Sequence, residues 1–150
     1  MSVRVAALAA ADHPRWLELA RDYKAFYKTP VTDAEYQRAW KRLLANDRVW
    51  GLGARHGGQL VGIAHYLFHS STWNEEVCYL QDLFVDPAFR GRGIARALIE
   101  AVAKAALARG AERLYWLTQE HNTAARALYD KVAKYNHFIR YDYPLHLAVV

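Results

Sequence analysis

Apolar residues recur along the chain with two periods, and these periods divide it into helices and strands. Spacings of three and four residues predict helices over 14–29, 33–44, 94–109 and 123–134. Continuous or alternating apolar runs predict strands over 3–8, 49–55, 60–68, 77–85, 113–118 and 138–147. The predicted order is a strand, two helices, a run of three strands, and then helices alternating with strands.

Local signals set several of these boundaries. Thr32 and Glu35 have the spacing of a capping box at the start of the second helix. Gly110 is placed to stop the third helix, and His56 to Gln59 suits a hairpin turn between two strands. Because no repeat, linker or low-complexity tract interrupts residues 1–150, the sequence predicts one mixed α/β domain.

The composition is that of an ordinary globular protein, with 53% hydrophobic and 23% charged residues. No run of about 18 apolar residues is present, so we expect no membrane span. The first residues lack the apolar core of a signal peptide. The single cysteine, Cys78, cannot form an internal disulfide, which favours a cytoplasmic location.

The chain is basic, with a formal net charge of +5, and a polyanionic partner is therefore plausible. Nucleic acid and a phosphate-rich cofactor both meet that description. The basic residues are scattered, and neither a zinc-finger nor an RNP1 signature is present. This distribution weighs against nucleic acid.

The most informative stretch joins the strand that ends at Val85 to the helix over 94–109. It contains two glycines and two arginines in the order Arg90-Gly91-Arg92-Gly93. Glycines let the backbone approach a ligand closely, and a helix start presents unpaired N–H groups and the positive end of its dipole. Arginines add charge-assisted bonds. These are the components of a pyrophosphate site.

Two other phosphate-binding motifs fail on spacing. A Walker loop needs Gly-Lys-Ser/Thr, which is missing here. A dinucleotide fingerprint counted from Gly91 needs glycine or alanine at the position of Arg96. Two interpretations stay open on residue types alone: a pyrophosphate loop, or a turn with solubilising arginines.

Three stretches together resemble the GNAT superfamily of acetyltransferases. Arg90 to Ala95 matches its Arg/Gln-x-x-Gly-x-Gly/Ala signature, and Tyr79 to Pro87 looks like its fourth strand. Asn122 to Tyr129 looks like its second cofactor motif, Asn-x-x-Ala-x-x-Leu-Tyr. Within the superfamily, the chain is similar to the spermidine/spermine acetyltransferase-like and yeast histone/polyamine acetyltransferase-like branch. Ser71-Thr72-Trp73, the run from Leu128 to Ala133 and the run from Phe138 to Tyr141 also carry that likeness.

The resemblance implies a three-layer α-β-α fold, in which helices flank a twisted, largely antiparallel sheet with splayed central strands. It also implies direct transfer of acetyl from acetyl-CoA to a primary amine of a small molecule. The expected acceptors are an amino acid, a polyamine-like amine or an antibiotic amine. Protein or peptide N-acetylation is an alternative, and a catalytically weak CoA-binding regulator is another. No metal is expected.

The resemblance also assigns roles to residues. Tyr129 matches the general acid, whose hydroxyl protonates the leaving thiolate. The residues that match positions at the cofactor are Leu83, Phe84, Val85, Arg90, Gly91, Arg92, Gly93, Ile94, Ala95, Arg96, Asn122, Ala125 and Tyr129. On residue types alone, Asn122 could instead be a simple helix cap and Tyr129 a core tyrosine.

The position of Gln81 departs from the family pattern, because the branch often has a glutamate there. Gln81 cannot act as a base, although it can orient a water or the substrate. Asp82 is expected to point to the opposite face of the strand. Other candidates for the base, all acting through water where necessary, are Glu75, Glu76, His65 and His69.

Three further expectations concern surfaces rather than chemistry. The residues that choose the acceptor should lie in the first two helices and the loop over 70–74, where Trp73 is either core rim or substrate wall. Cys78 should be a small core residue. The last segment, His137 to Val150, is rich in tyrosine and aliphatic residues, and in the related branch such strands form a dimer edge. We therefore expect a homodimer.

Overall fold

The computed structural model describes residues 2–146, which group into two units, one ending at Leu117 and one beginning at Thr118. The first unit contains a five-stranded sheet whose strand order follows the chain. Its strands are β1 Val3–Ala7, β2 Val49–His56, β3 Gln59–His69, β4 Val77–Val85 and β5 Leu114–Tyr115. The first four pair antiparallel and β5 pairs parallel to β4. The prediction of a largely antiparallel mixed α/β fold is confirmed.

Three helices of the first unit cover the two faces of this sheet. They are α1 His13–Phe26, α2 Asp33–Ala45 and α3 Ile94–Arg109. Trp16 of α1 contacts His65 on one face of β3, whereas Gly62 of β3 faces α3 on the other. Side chains alternate between faces along a strand, so α1 and α3 lie on opposite sides and make the expected three layers.

The sequence signals for the helix ends act as local hydrogen bonds. The Thr32 hydroxyl accepts a bond from the Glu35 backbone N–H at 3.2 Å and donates to the Glu35 carboxylate at 3.0 Å. Gly110 ends α3 in the left-handed conformation, with φ of 83°. Both predicted boundaries are therefore confirmed, and both depend on residues close together in sequence.

Aromatic and aliphatic side chains between the sheet and the first two helices form one part of the core. Trp16, Trp40 and Leu19 are buried there together with Ile63 and Phe84. The indole rings of Trp16 and Trp40 lie 5.0 Å apart between centroids. Full burial of a large side chain is worth roughly 1.5–3 kcal/mol. This packing attaches α1 to the strands that carry the site.

The second unit contains one helix, α4 Thr123–Val132, which ends two residues before the predicted Lys134. The predicted strand over 138–147 is wrong for its described part, because residues 138–146 form no strand. Backbone N–H and C=O groups make a strand only where they pair with a neighbour, and an apolar pattern cannot supply that neighbour. Leu147 lies outside the described residues.

The strand predicted over 113–118 is also shorter in the structure. β5 spans two residues, pairing Leu114 with Cys78 and Tyr115 with Tyr79. The apolar residues that follow, Trp116 and Leu117, continue the pattern without continuing the strand. The fourth and fifth strands therefore part after two residue pairs.

Candidate active site

The separation of β4 from β5 creates the first component of the site. β4 pairs with β3 over its whole length, from Val77 to Val85. On its other side, β5 pairs with Cys78 and Tyr79 and with no later residue of β4. A strand edge that has lost its neighbour offers N–H and C=O groups to an extended ligand. The predicted pantetheine positions, Leu83 to Val85, lie on this stretch.

The loop after β4 is held by the side chain of Asp86. One carboxylate oxygen accepts a bond from the Ala88 N–H at 2.9 Å, and the other accepts from Arg15 of α1 at 2.6 Å. The Ala88 hydrogen bond and the Arg15 guanidinium hold the pKa of Asp86 below its usual range, although partial desolvation opposes them. Arg15 also donates to the Leu60 carbonyl at 2.9 Å. Arg15 therefore attaches α1 both to β3 and to the loop after β4.

The second component is the turn that leads into α3. Gly91 and Gly93 adopt φ of 78° and 77°, a left-handed conformation that disfavours side chains. The first bond inside α3 runs from the Ala97 N–H to the Gly93 carbonyl at 3.0 Å. The N–H groups of the turn before Ala97 thus have no helical partner, and the first turn carries no acidic residue. This end of α3 can bind an anion such as a pyrophosphate.

The two arginines of the loop stack on neighbouring aromatic rings. Arg90 lies 5.4 Å from the centre of the Phe84 ring and donates through Nε to the Val85 carbonyl at 3.1 Å. Arg92 lies 5.2 Å from the centre of the Phe89 ring. Cation–π contact and the hydrogen bond place both positive charges beside the glycines. Arg90 therefore braces the loop as well as supplying charge.

Gln81 is the extra residue of a bulge in β4. His65 pairs with Asp82 and Tyr66 pairs with Leu80, which leaves Gln81 without a partner on β3. Its side chain is exposed. A bulge bends a strand and changes where its side chains aim. Side chains were expected to alternate between the two faces of β4, and this alternation would turn Asp82 to the face opposite Gln81. The bulge at Gln81 interrupts that alternation.

Asp82 belongs to a hydrogen-bonded group that joins three elements. His65 Nδ1 lies 3.0 Å from an oxygen of Asp82, and the Trp16 indole N–H donates to His65 Nε2 at 2.9 Å. Burial alone would raise the pKa of Asp82, but the hydrogen bond and charge of His65, a hydrogen bond from Tyr23 and the charge of Lys24 outweigh it and lower the pKa. β4 therefore carries a stabilised carboxylate next to the bulge.

The other candidate bases are engaged elsewhere or lie before the strand. Glu76 forms an ion pair with Arg109 at 3.3 Å, and Arg109 stacks on Phe68 at the α3 face of the sheet. His69 has both ring nitrogens in use, with the Ser70 carbonyl and the Tyr115 hydroxyl as partners at 3.0 and 2.9 Å. Glu75 is exposed in the segment before β4.

Cys78 is a buried core residue, as predicted. Burial raises the pKa of its thiol to about 11, so almost no thiolate exists at neutral pH. A thiol in that state is a poor acyl acceptor. Its environment favours direct transfer between donor and amine over an acyl-cysteine intermediate.

The loop before β4 closes on itself through Ser71. The Ser71 hydroxyl accepts bonds from the N–H groups of Asn74 at 2.9 Å and Trp73 at 3.2 Å. Trp73 is 89% exposed, which removes it from the core and leaves its indole available to a ligand.

The second unit carries the remaining motif residues on and beside α4. Asn122 occupies the N-cap position, but its side chain donates to the Thr118 hydroxyl at 3.2 Å and does not cap the helix. Ala125 and Tyr129 lie one turn apart on α4, and both are partly buried. Asn122 is therefore the N-cap residue by position, as the alternative interpretation expected, but its side chain makes no cap bond.

Sequence reasoning missed the partnership of Trp16 with His65 and Asp82. It treated Asp82 only as a residue on the opposite face of the strand from Gln81. A usable signal was present, because His65 and Asp82 interrupt two strands that are otherwise largely apolar. Ionisable groups in such positions are partnered as a rule.

Comparison with known proteins agrees with this geometry. The acetyltransferase (GNAT) family model matches residues 14–135. The chain is 35% identical over 133 residues to the D-amino-acid N-acetyltransferase HPA3 of Saccharomyces cerevisiae, covering 86% of this chain and 83% of that protein. It is 34% identical over 122 residues to a thialysine N-epsilon-acetyltransferase of Caenorhabditis elegans, covering 81% and 76%. The structure of AAC(6')-Iy with a bisubstrate analogue superposes with a TM-score of 0.85 at 19% identity, over 95% of this chain and 98% of that one, and shows the shared fold.

The fold and these matches define an N-acyltransferase that uses acetyl-CoA as its donor. The chain belongs to the GNAT acetyltransferase family, and these two relatives are consistent with the branch that the motifs indicated. Within residues 2–146, no helix is long and apolar enough to cross a membrane. The same residues contain no cluster of three or more side chains suited to a metal ion.

Proposed function

We propose that the protein transfers an acetyl group from acetyl-CoA directly to a primary amine of a small molecule, such as an amino acid, a polyamine-like amine or an aminoglycoside. The observation that carries this proposal is the continuity of the open edge of β4 with the left-handed glycines at the start of α3. The extended thioester arm of the cofactor needs an open strand edge with which to pair, and the pyrophosphate next to it needs the N–H groups at a helix start. The names of the relatives support small amines as acceptors.

The donor lies along β4 in this proposal. Backbone groups of Leu83, Phe84 and Val85 pair with the pantetheine arm, and the turn from Gly91 to Arg96 binds the pyrophosphate. Because the phosphates lie beyond the end of β4, the acyl end lies further back along the strand, towards Asp82 and Gln81. Asn122 and Ala125 contact the distal part of the cofactor, a role that rests on the family motif.

Transfer then needs three contributions from the chain. A backbone N–H of the open β4 edge polarises the thioester carbonyl and stabilises the oxyanion that forms when the amine attacks. Tyr129 donates its hydroxyl proton to the departing sulfur, as its motif position implies. Gln81 orients the amine or a water that accepts the ammonium proton, since an amide cannot take that proton itself.

The acceptor is recognised as a cation. The chain has a net charge of +5, which repels an ammonium at long range. A local carboxylate must therefore supply the attraction, and Asp82 stands beside the predicted acyl position in anionic form. Peptide amines present the same chemistry, so the size of the acceptor, rather than its charge, separates the two proposed classes.

The function is tested by incubating the protein with acetyl-CoA and a panel of D- and L-amino acids, thialysine, polyamines, aminoglycosides and peptides. Mass spectrometry reads the gain of one acetyl group. We expect acetylation of one small-amine class, and products on peptides alone would favour peptide N-acetylation. Tight CoA binding without any product would favour a regulator, and absence of CoA binding would contradict the assignment.

The 150 residues act as one domain in this proposal, because the family model runs across both units. We place the enzyme in the cytoplasm, where its lone cysteine stays reduced.

We further propose a homodimer. Large apolar side chains between residues 138 and 145 are exposed, namely Phe138, Ile139, Tyr141, Tyr143 and Leu145. An apolar surface of this kind marks an interface more often than a solvent face. Light scattering should give twice the mass of one chain at micromolar concentration. The double variant Ile139→Lys, Tyr141→Lys should give the mass of one chain, and a monomeric wild type would exclude the dimer.

A further inference from the structure

Lys24 continues the stripe of α1 that packs on the sheet, where an apolar residue would be expected. Trp16 and Ala20 are 1% and 6% exposed, and Lys24 follows them at the same four-residue spacing. Residues at this spacing lie on one face of a helix, and Lys24 is itself only partly exposed. Withdrawing a cation from water is unfavourable unless other groups compensate. The surroundings of Lys24 therefore show what its charge is for.

Lys24 has an aromatic ring as its neighbour and a carboxylate at longer range. Its ammonium lies 5.7 Å from the centre of the Tyr23 ring, and that ring lies 6.0 Å from the Phe84 ring on β4. Tyr23 donates a hydrogen bond to Asp82, and the positive charge of Lys24 acts on the same carboxylate. Among residues 2–146, however, Lys24 forms no ion pair at 4.0 Å or less. Its ammonium can therefore pair directly with an anion that a ligand brings.

Two other cations near the carboxyl end of β4 are already bonded to the chain. Arg15 pairs with Asp86 at 2.6 Å, and Arg90 donates to the Val85 carbonyl at 3.1 Å beside the glycines of the loop. Those bonds hold the corner of the sheet and the turn before α3. Lys24 differs from both, because its printed contact is with a ring and leaves the N–H donors of its ammonium unassigned.

We propose that Lys24 binds the carboxylate of the acceptor, and that the acceptor is therefore an amino acid rather than a polyamine or an aminoglycoside. The inference rests on the proposed function, because that function places the acceptor ammonium beside Asp82. An amino acid carries both charges, so its ammonium faces Asp82 while its carboxylate accepts a charge-assisted hydrogen bond from Lys24. A polyamine brings a second cation towards Lys24, which repels it.

Lys24 also stabilises α1, because a lysine in the last turn of a helix interacts favourably with the negative end of the helix dipole. That interaction is the same whichever amine is bound, so it cannot change the preference between two acceptors. The test therefore compares an amino acid with its own amide, which keeps the amine and lacks the carboxylate. The pairs are D-alanine with D-alaninamide and L-lysine with L-lysinamide.

The substitution Lys24→Met should lower kcat/KM for the two amino acids about ten-fold, the equivalent of one charge-assisted hydrogen bond, without lowering kcat/KM for the amides. Lys24→Glu should shift the preference towards 1,4-diaminobutane. Lys104→Met is the matched control, because Lys104 is exposed on α3 at the other face of the sheet and its loss changes the net charge equally. The control should keep the wild-type values. An equal fall for acids and amides in Lys24→Met, or a wild type that prefers 1,4-diaminobutane to both amino acids, would overturn the proposal.

A binding experiment separates this proposal from the proposed function. Calorimetric titration of D-alanine or L-lysine into the complex of the protein with CoA needs no acetyl transfer. Binding that is lost in Lys24→Met and kept in Lys104→Met would support the carboxylate site even if no amine is acetylated. Acetylation with the same acid-to-amide ratio in wild type and Lys24→Met would leave the proposed function intact and contradict the role of Lys24. Failure of both amino acids to bind the wild type would contradict it as well.

Discussion

Replacing Tyr129 by phenylalanine is expected to lower kcat for amine acetylation by about 100-fold and to leave the affinity for CoA unchanged. The reason is the leaving group, a thiolate whose conjugate acid has a pKa of roughly 8.5, beside a tyrosine hydroxyl whose ordinary pKa is about 10. General acid catalysis contributes about 10²- to 10⁴-fold, so removal of the hydroxyl leaves a slow reaction with a proton from water. The ring remains in place and keeps the packing of α4.

The measurement is steady-state kinetics of the acetylated amine, together with calorimetric titration of CoA. Tyr135→Phe is the matched control, because Tyr135 lies just beyond α4 and its ring contacts with Arg126 and His137 survive loss of the hydroxyl. The control should retain wild-type kcat. If Tyr129→Phe also retains it, the general acid is another group and the motif match does not extend to that role.

The helix boundaries could be predicted from the sequence because each helix end is determined by residues that are close together in the chain. The capping pair Thr32 and Glu35 and the stop at Gly110 are each complete within a few residues. The turn that we propose binds the pyrophosphate is equally local, since its geometry comes from two glycines with positive φ and a helix start. Such features can be predicted from one sequence without knowledge of the tertiary fold.

The failures concern features that need a distant partner. The pattern over 113–118 is apolar enough for a strand, but only Leu114 and Tyr115 find a partner on β4. The pattern over 138–147 has the same composition, and its described part finds none within residues 2–146. Whether a segment forms a strand depends on its pairing with another strand, and the local hydrophobic period of the segment does not encode that pairing.

The same distinction between local and long-range features applies to the residues of the candidate site. Trp16 and His65 are 49 residues apart, and His65 and Asp82 are 17 apart, so no local spacing could join them. The bulge at Gln81 also interrupts the alternation from which side-chain directions are counted. The motif positions were therefore predictable from the sequence, and the hydrogen-bonded group of Trp16, His65 and Asp82 was not.

Substitution of Gly93 by alanine is expected to lower CoA affinity about 10- to 100-fold, the equivalent of losing one charge-assisted hydrogen bond to the pyrophosphate. Gly93 holds φ of 77° with no atom within 4 Å of an added Cβ. Alanine therefore meets no steric clash there but disfavours the left-handed backbone by about 1–2 kcal/mol. The turn can relieve that strain by rotating, and rotation moves its N–H groups away from the positions that face the phosphates.

Gly110 offers a matched control at the opposite end of the same helix. Its φ is 83°, and an added Cβ there also meets nothing within 4 Å. Gly110→Ala should therefore lower the free energy of unfolding by about 1–2 kcal/mol, at least as much as Gly93→Ala, because both residues hold the left-handed backbone. CoA affinity should fall only in Gly93→Ala. Equal losses of affinity would mean that general destabilisation controls binding, whereas equal stability losses with unequal affinities would locate the pyrophosphate at the start of α3.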